Sequence, residues 1–268
     1  MYDLMSIELS LRPRKFNRIP RWQGRAAQAM FYHTLRDIHP MVSETIHDLQ
    51  KWHPRLPKPF TMSSLMGAPQ VDEFITLTPE QYLTLRLTTL HPQLTSLVQH
   101  GVLPLWLRRN FTLHDQFFEF AKITEHSWMN YDDLLDTADD RYEVHLNFTS
   151  PTAFKRTTGG YQAAPDIERI FMSLYSRWNA FAPRPLPVAL KTSIQERIHI
   201  VETHIEHHTL KFARGRKGVI PGFYGSVKFV LDEPSLMLRH MLNALAAFTH
   251  FSGVGVKTTI GMGQVCVA

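Results

Sequence analysis

The sequence predicts an α+β protein of two tandem ferredoxin-like (RRM-like) units, each ordered β-α-β-β-α-β, with a glycine-rich loop near the C-terminus. Three observations predict it. The same succession of alternating and helical-period segments occurs twice along the chain. An acidic stretch, Asp132 to Asp140, lies between the two passes and reads as a solvated joint. A chain of 268 residues, 44% hydrophobic and 20% charged, suffices for two half-sized cores. The expected domains are 1–128 and 140–268.

The first pass opens on Leu4 to Leu11, where Met5, Ile7, Leu9 and Leu11 alternate with polar residues as on a half-buried strand. Trp22 to Leu35 lacks proline and can bring Ala26, Met30 and Leu35 onto one helical face. Pro40 interrupts, and Met41 to Lys51 reads as a second helical piece. Strands follow at Phe60 to Leu65 and Phe74 to Leu77. A helix is expected from Pro79 to about Val98, since Thr78 suits an N-cap and Pro79 a first turn. Phe111 to Ile123 reads as the closing strand.

The second pass starts with a strand at Tyr142 to Phe148 and a helix at Pro165 to Phe181. Strands are expected around Ile194 to Ile205, Leu210 to Arg214 and Tyr224 to Leu231. The helix Pro234 to Phe251 gathers Leu238, Met241, Leu242, Leu245 and Phe248 on one face. A strand near Gln264 to Val267 closes the chain.

Composition excludes several classes. Lys and Arg number 29 against 24 Asp and Glu, a net charge of +5 that favours an anionic partner. The one cysteine, Cys266, rules out an internal disulfide framework or a cysteine-based zinc finger and fits a reducing compartment. No apolar run approaches the roughly 20 residues of a membrane span. The N-terminus has no basic segment followed by an apolar one, so no signal peptide is expected. A cytoplasmic protein without membrane association is the expectation.

The most informative stretch is Ser252 to Gln264, with Gly253, Gly255, Gly261 and Gly263 around Lys257-Thr258-Thr259. Glycines let backbone N–H groups approach a phosphate, and Lys257 adds a charge. A nucleotide P-loop fails, because Val256 rather than glycine precedes the lysine and no room remains for the required helix. A bulged turn entering a strand is the bland alternative.

This tail resembles the glycine-rich signature of the CRISPR repeat-processing endoribonucleases of the RAMP superfamily. Phe148 to Phe154, Phe171 to Leu174 with Arg177-Trp178-Asn179, and Gly222 to Val227 resemble that family's second unit. Ile46-His47-Asp48 and Lys58 to Ser63 resemble its first. The resemblance implies metal-independent cleavage of precursor RNA within each repeat, by attack of the 2′-hydroxyl on the adjacent phosphate. A 2′,3′-cyclic phosphate and a 5′-hydroxyl result. It implies no cofactor, CRISPR repeat RNA as ligand, and effector-complex subunits as partners after cleavage; a homodimer stays open.

Such a cut needs a base, an acid and positive charge at the phosphorane. Histidine suits the first two, with an unperturbed pKa of about 6.5. By the resemblance His47 is the first candidate, beside Asp48 and Lys51. His33 is the second, and Tyr32 or Lys51 can assist. Candidate RNA contacts are Arg25, Arg36 and Lys155, the basic loop Lys211, Arg214, Arg216 and Lys217, and the tail residues Gly253, Gly255, Lys257, Thr258 and Gly261. Lysine and arginine supply the sequence-independent part of RNA affinity.

Two rivals remain at this level. One is a non-catalytic RNA-binding subunit of the same superfamily. The other is a zinc-dependent hydrolase built on His199, His204, His207 and His208 with Glu202 and Glu206; no metal site is expected there, because the spacing lacks a known ligand pattern.

Overall fold

A computed structural model describes residues 2–71, 73–108, 110–211 and 218–268. It divides into two units, Met1–Trp128 with Thr259–Gly261, and Met129–Thr258 with Met262–Ala268.

The first unit runs β1 (Leu4–Pro13), β2 (Asn17–Pro20), α1 (Gly24–Ile38), α2 (Pro40–Trp52), β3 (Phe60–Met62), β4 (Gln70–Val71), β5 (Phe74–Leu77) and β6 (Leu83–Thr89). Then come α3 (Pro92–Leu97), a π turn at Val98–Val102, α4 (Leu103–Arg108), β7 (Phe111–Leu113) and β8 (Gln116–Met129). Its main sheet has the order β3-β6-β1-β8-β7; β2-β5-β4 form a small second sheet. Alternation sets the register: Ile7 pairs Leu87, Leu9 pairs Leu85 and Leu11 pairs Leu83 across β1 and β6, so these residues give one face an apolar surface. Against that face pack Ala27, Phe31 and Leu35 of α1 and Val98, Val102 and Trp106 of the second crossover.

The second unit runs α5 (Tyr131–Asp136), β9 (Glu143–Thr152), β10 (Phe154–Lys155), β11 (Tyr161–Gln162), α6 (Ile167–Phe181) and α7 (Ala189–Glu196). It continues with β12 (Ile198–Lys211), β13 (Val219–Leu231), α8 (Leu236–Ser252), a 3₁₀ turn at Thr258–Ile260 and β14 (Val265–Val267). Its sheet has the order β12-β13-β9-β14. Val144, Leu146 and Phe148 of β9 and Val227, Phe229 and Leu231 of β13 are buried with Phe171 and Trp178 of α6 and Phe248 of α8. Phe171 meets Phe229 edge-on at 5.6 Å, and Trp178 meets Phe248 at 5.3 Å. Counting only the main strands, both units place their first strand between the third and the fourth, which is the ferredoxin-like arrangement.

Several expectations are corrected. The segment read as a helix from Pro79 to Val98 is mostly β6. Leu83, Leu85 and Leu87 alternate with Thr84, Arg86 and Thr88, and pairing with β1 outweighs the capping signal at Thr78-Pro79. The true helix starts with Pro92 in its first turn. The closing strand is a hairpin that turns on His114 and Asp115, both at positive φ. The acidic joint folds in part: Asp133 accepts from the Asn130 main-chain N–H, and Tyr131 and Leu134 bury into the second unit. Helix α7 takes the start of the strand expected from Ile194, and β12 runs unbroken through Leu210 to Lys211. Among the described residues, no helix is long and apolar enough to cross a membrane.

Candidate functional site

The first crossover builds one cavity of about 400 Å³, lined by Tyr32, Arg36, Glu44, His47, Asp48 and Lys51 among others. Helix α1 buries Phe31 and Leu35 and turns Tyr32 toward α2. There Ser43 Oγ donates to the Tyr32 carbonyl at 3.1 Å, within the protein interior. Ser43 and His47 share a helical stripe at i, i+4, so this bond fixes His47 beside Tyr32. The two rings meet edge-on with centroids 5.3 Å apart.

His47 is 62% exposed, and its Nδ1 lies 2.7 Å from Asp48 Oδ1. Lys51 Nζ donates to the same carboxylate at 2.8 Å. These two donors hold the Asp48 carboxyl below its usual range, Lys51 contributing most. An ionised carboxylate only accepts, so Nδ1 carries the proton of this bond and Nε2 is the nitrogen left for chemistry.

Lys58 reaches in from the Pro-rich turn before β3. Its Nζ donates to the Tyr32 hydroxyl at 2.6 Å and to the His47 carbonyl at 3.3 Å. Burial pushes the Lys58 ammonium down, with Asp48 opposing that shift. Burial, with a smaller contribution from Asp48, pushes the Tyr32 phenol well above its ordinary range. Tyr32 therefore stays protonated. Because its oxygen accepts from Lys58, its own O–H remains available to donate.

His47, Tyr32, Lys51 and Arg36 are thus brought to one place. His33 is not: one residue past Tyr32 on α1, it is exposed and does not line the cavity. Sequence reading missed the role of Lys58, which lies eleven residues beyond His47. Its one signal is a lone lysine between Pro57 and Pro59, at the entry to a buried strand.

The glycine-rich tail serves close packing. Gly253 and Gly255 have positive φ, and a Cβ on them would fall 2.6 Å from the Gly263 carbonyl oxygen and 2.5 Å from that of Ala153. Gly261, also at positive φ, would place a Cβ 2.8 Å from the Ser64 nitrogen. Arg177 of α6, buried, donates to the Ser252 carbonyl, to Gly255 O at 2.9 Å and to Thr258 Oγ1 at 3.1 Å. Burial lowers the pKa of this guanidinium to about 10, still charged at neutral pH. Glycine at 253, 255 and 261 is therefore accounted for by the chain's own backbone, and Thr258 is an internal acceptor. Lys257 is exposed on this tail.

The other candidate contacts are scattered. Arg25 is exposed in the first turn of α1, and Lys155 is exposed on β10, its carbonyl accepting from Arg169 at 2.6 Å. Lys211 is exposed at the end of β12. Arg214, Arg216 and Lys217 lie outside the described residues. The histidines of β12 lie on an open edge strand, where His204 faces Glu202 at 3.6 Å and Tyr224 donates to Glu206 at 2.6 Å. Among the described residues, no group of three or more His, Cys, Asp or Glu side chains is arranged to hold a metal.

Comparison with known proteins bears on both halves. A family profile described as "CRISPR-associated endoribonuclease Cas6" matches residues 146–265. A Streptococcus thermophilus protein of that name is 26% identical over 133 residues, 50% of this chain and 54% of its own length. One from Mycobacterium tuberculosis is 31% identical over 126 residues, 47% and 38%. The matched segment thus spans about half or less of these curated relatives. A solved structure, a Cas6 product complex, superposes with a TM-score of 0.81 at 25% identity, covering 99% of this chain and 100% of its own.

Proposed function

We propose that the chain is a member of the CRISPR-associated endoribonuclease Cas6 family, to which its residues 146–265 are similar, and that it cuts CRISPR precursor RNA once within each repeat. The ribose 2′-oxygen attacks the adjacent phosphorus and the 5′-oxygen departs. The products end in a 2′,3′-cyclic phosphate and a 5′-hydroxyl. One proton leaves the 2′-hydroxyl and one joins the leaving oxygen, so the reaction consumes nothing else, and the proposed route calls on no cofactor or metal.

The observation that carries this reading is the gathering of Tyr32, His47 and Asp48 on one open cavity, with Lys58 bonded to the Tyr32 hydroxyl. Asp48 orients the His47 ring, and Nε2 transfers a proton as base or as acid; such help is worth about 10²–10⁴-fold. The Tyr32 O–H donates to a phosphate oxygen, where charge grows in the phosphorane. Behind it, Lys58 keeps the phenol polarised as donor and adds positive charge. Arg36 and Lys51 border the same space and suit neighbouring phosphates. Exposed Arg25, Lys155, Lys211 and Lys257 supply further phosphate contacts. After cleavage the product RNA is handed to effector-complex subunits in the cytoplasm, a reducing setting that Cys266 tolerates. Oligomeric state is best read by sedimentation, where a homodimer is the species to look for.

The test is cleavage of labelled repeat RNA in excess EDTA, wild type beside His47→Ala. Single cutting to a cyclic phosphate by wild type, with binding but no cutting by the variant, is expected. Equal cutting by both moves the role to His33. Tight binding without any cutting by wild type replaces the enzyme with a scaffold subunit.

A further inference from the structure

We infer that Trp52, at the end of α2, is a stacking platform for an unpaired nucleobase of the RNA beside the scissile phosphate, and that Arg55 holds the neighbouring phosphate. This inference rests on the proposed RNA cleavage at the His47 cavity.

Trp52 is 77% exposed, and among the described residues nothing hydrogen-bonds or stacks on it. The other tryptophans are in the interior or half-buried: Trp106 and Trp178 are 3% and 0% exposed, and Trp22 and Trp128 are partly covered. Large aromatic rings are normally withdrawn from water, so a lone exposed indole at a site edge is a feature to explain. Position on the helix supplies the explanation. Met41, Thr45, Asp48 and Trp52 follow at i, i+4, i+7 and i+11, one stripe of α2. Trp52 is one turn beyond Asp48, about 6 Å along the axis from the carboxylate that orients His47.

Charge selects the occupant. From Leu49 to Pro59 the chain has no carboxylate, while Lys51, Arg55 and Lys58 are cationic. Lys51 to Arg55 are all exposed, and the turn after α2 is set by the Leu56 N–H donating to the His53 carbonyl at 3.0 Å. Asp48, the nearest carboxylate on the stripe, is already occupied by Lys51 and His47. A cationic rim around a bare aromatic face matches single-stranded RNA, whose bases stack on aromatic rings whatever their sequence. An A-form stem hides its base faces, so the ligand is an unpaired nucleotide next to the cut.

The test compares wild type, Trp52→Ala and Trp52→Phe on a labelled synthetic repeat RNA with unpaired flanks, beside the same RNA carrying an abasic site next to the cut. Trp52→Ala is expected to raise KM about tenfold with kcat within about twofold, and Trp52→Phe to recover most of the loss. RNA should quench the intrinsic fluorescence of wild type and leave that of Trp52→Phe nearly unchanged. The abasic site should weaken wild type and not Trp52→Ala. Wild-type KM in Trp52→Ala overturns the inference. So does a variant that handles RNA normally but loses self-association in sedimentation, which assigns the indole to a protein contact. Should wild type itself neither bind nor cut repeat RNA, the cleavage reading falls and this one with it.

Discussion

In the first unit the α1–α2 crossover turns Tyr32 and His47 toward an open cavity, with Lys58 bonded to the Tyr32 hydroxyl; in the second, the α6–α7 crossover sends Arg177 inward to bind the backbone of the glycine-rich tail. The two crossovers occupy equivalent places in the same strand order. What differs is where the polar atoms face. Tyr32 and His47 keep a proton available to a visitor, whereas Arg177 turns Nη1 and Nη2 to two carbonyls and a hydroxyl of its own unit. Equivalent topology therefore gives one unit the means for proton transfer and the other a braced loop. A reactive site needs polar groups left partly unsatisfied, and a scaffold needs them satisfied.

Four substitutions test this contrast. Tyr32→Phe removes the O–H donor but keeps the ring that packs on Phe60, so the single-turnover rate should fall about 10²-fold or more with RNA affinity retained. Arg177→Met should do the reverse. Its three acceptors lose a charged donor, which is expected to cost about 3 kcal/mol in chemical denaturation and to leave the rate at saturating RNA nearly intact. Gly255→Ala forces a Cβ into a left-handed position against the Ala153 carbonyl, for about 2 kcal/mol and a lowered Tm. The smallest effect is a pH shift. Lys58 has a lowered pKa, so its charge disappears as pH rises through that value, sooner than for an ordinary lysine, and the proposed cleavage should fall with it. Lys58→Arg stays charged and should move the alkaline limb of the rate profile upward; an unmoved limb removes Lys58 from the mechanism.

Much of the fold was legible because alternation and helical periodicity report burial directly. Met5, Ile7, Leu9 and Leu11 announce β1, and Leu242, Leu245 and Phe248 announce α8. β6 was misread because Thr78-Pro79 imitates a helix start while the competing signal, pairing with β1, comes from the far N-terminal end of the sequence. His47, Asp48 and Lys51 were legible as neighbours since i, i+1 and i+4 on one helix need no tertiary information. Lys58 was not, because only the folded turn before β3 brings its ammonium to Tyr32. The tail glycines show a further limit. A loop that must admit a phosphate and a loop that must admit its own carbonyls both call for glycine, and the second demand, from Gly263 and Ala153, shows only in the folded chain.

The histidine- and glutamate-bearing strand β12 has a consequence beyond its lack of metal ligands. It is a fourteen-residue edge strand, and a long open edge is a template for pairing with another chain. Exposed Glu202, Glu206 and Lys211 stand along it, interleaved with His199, His204, His207 and His208. Charged side chains along an open edge disfavour pairing with a second copy, so this strand carries its own protection against the self-association its length invites.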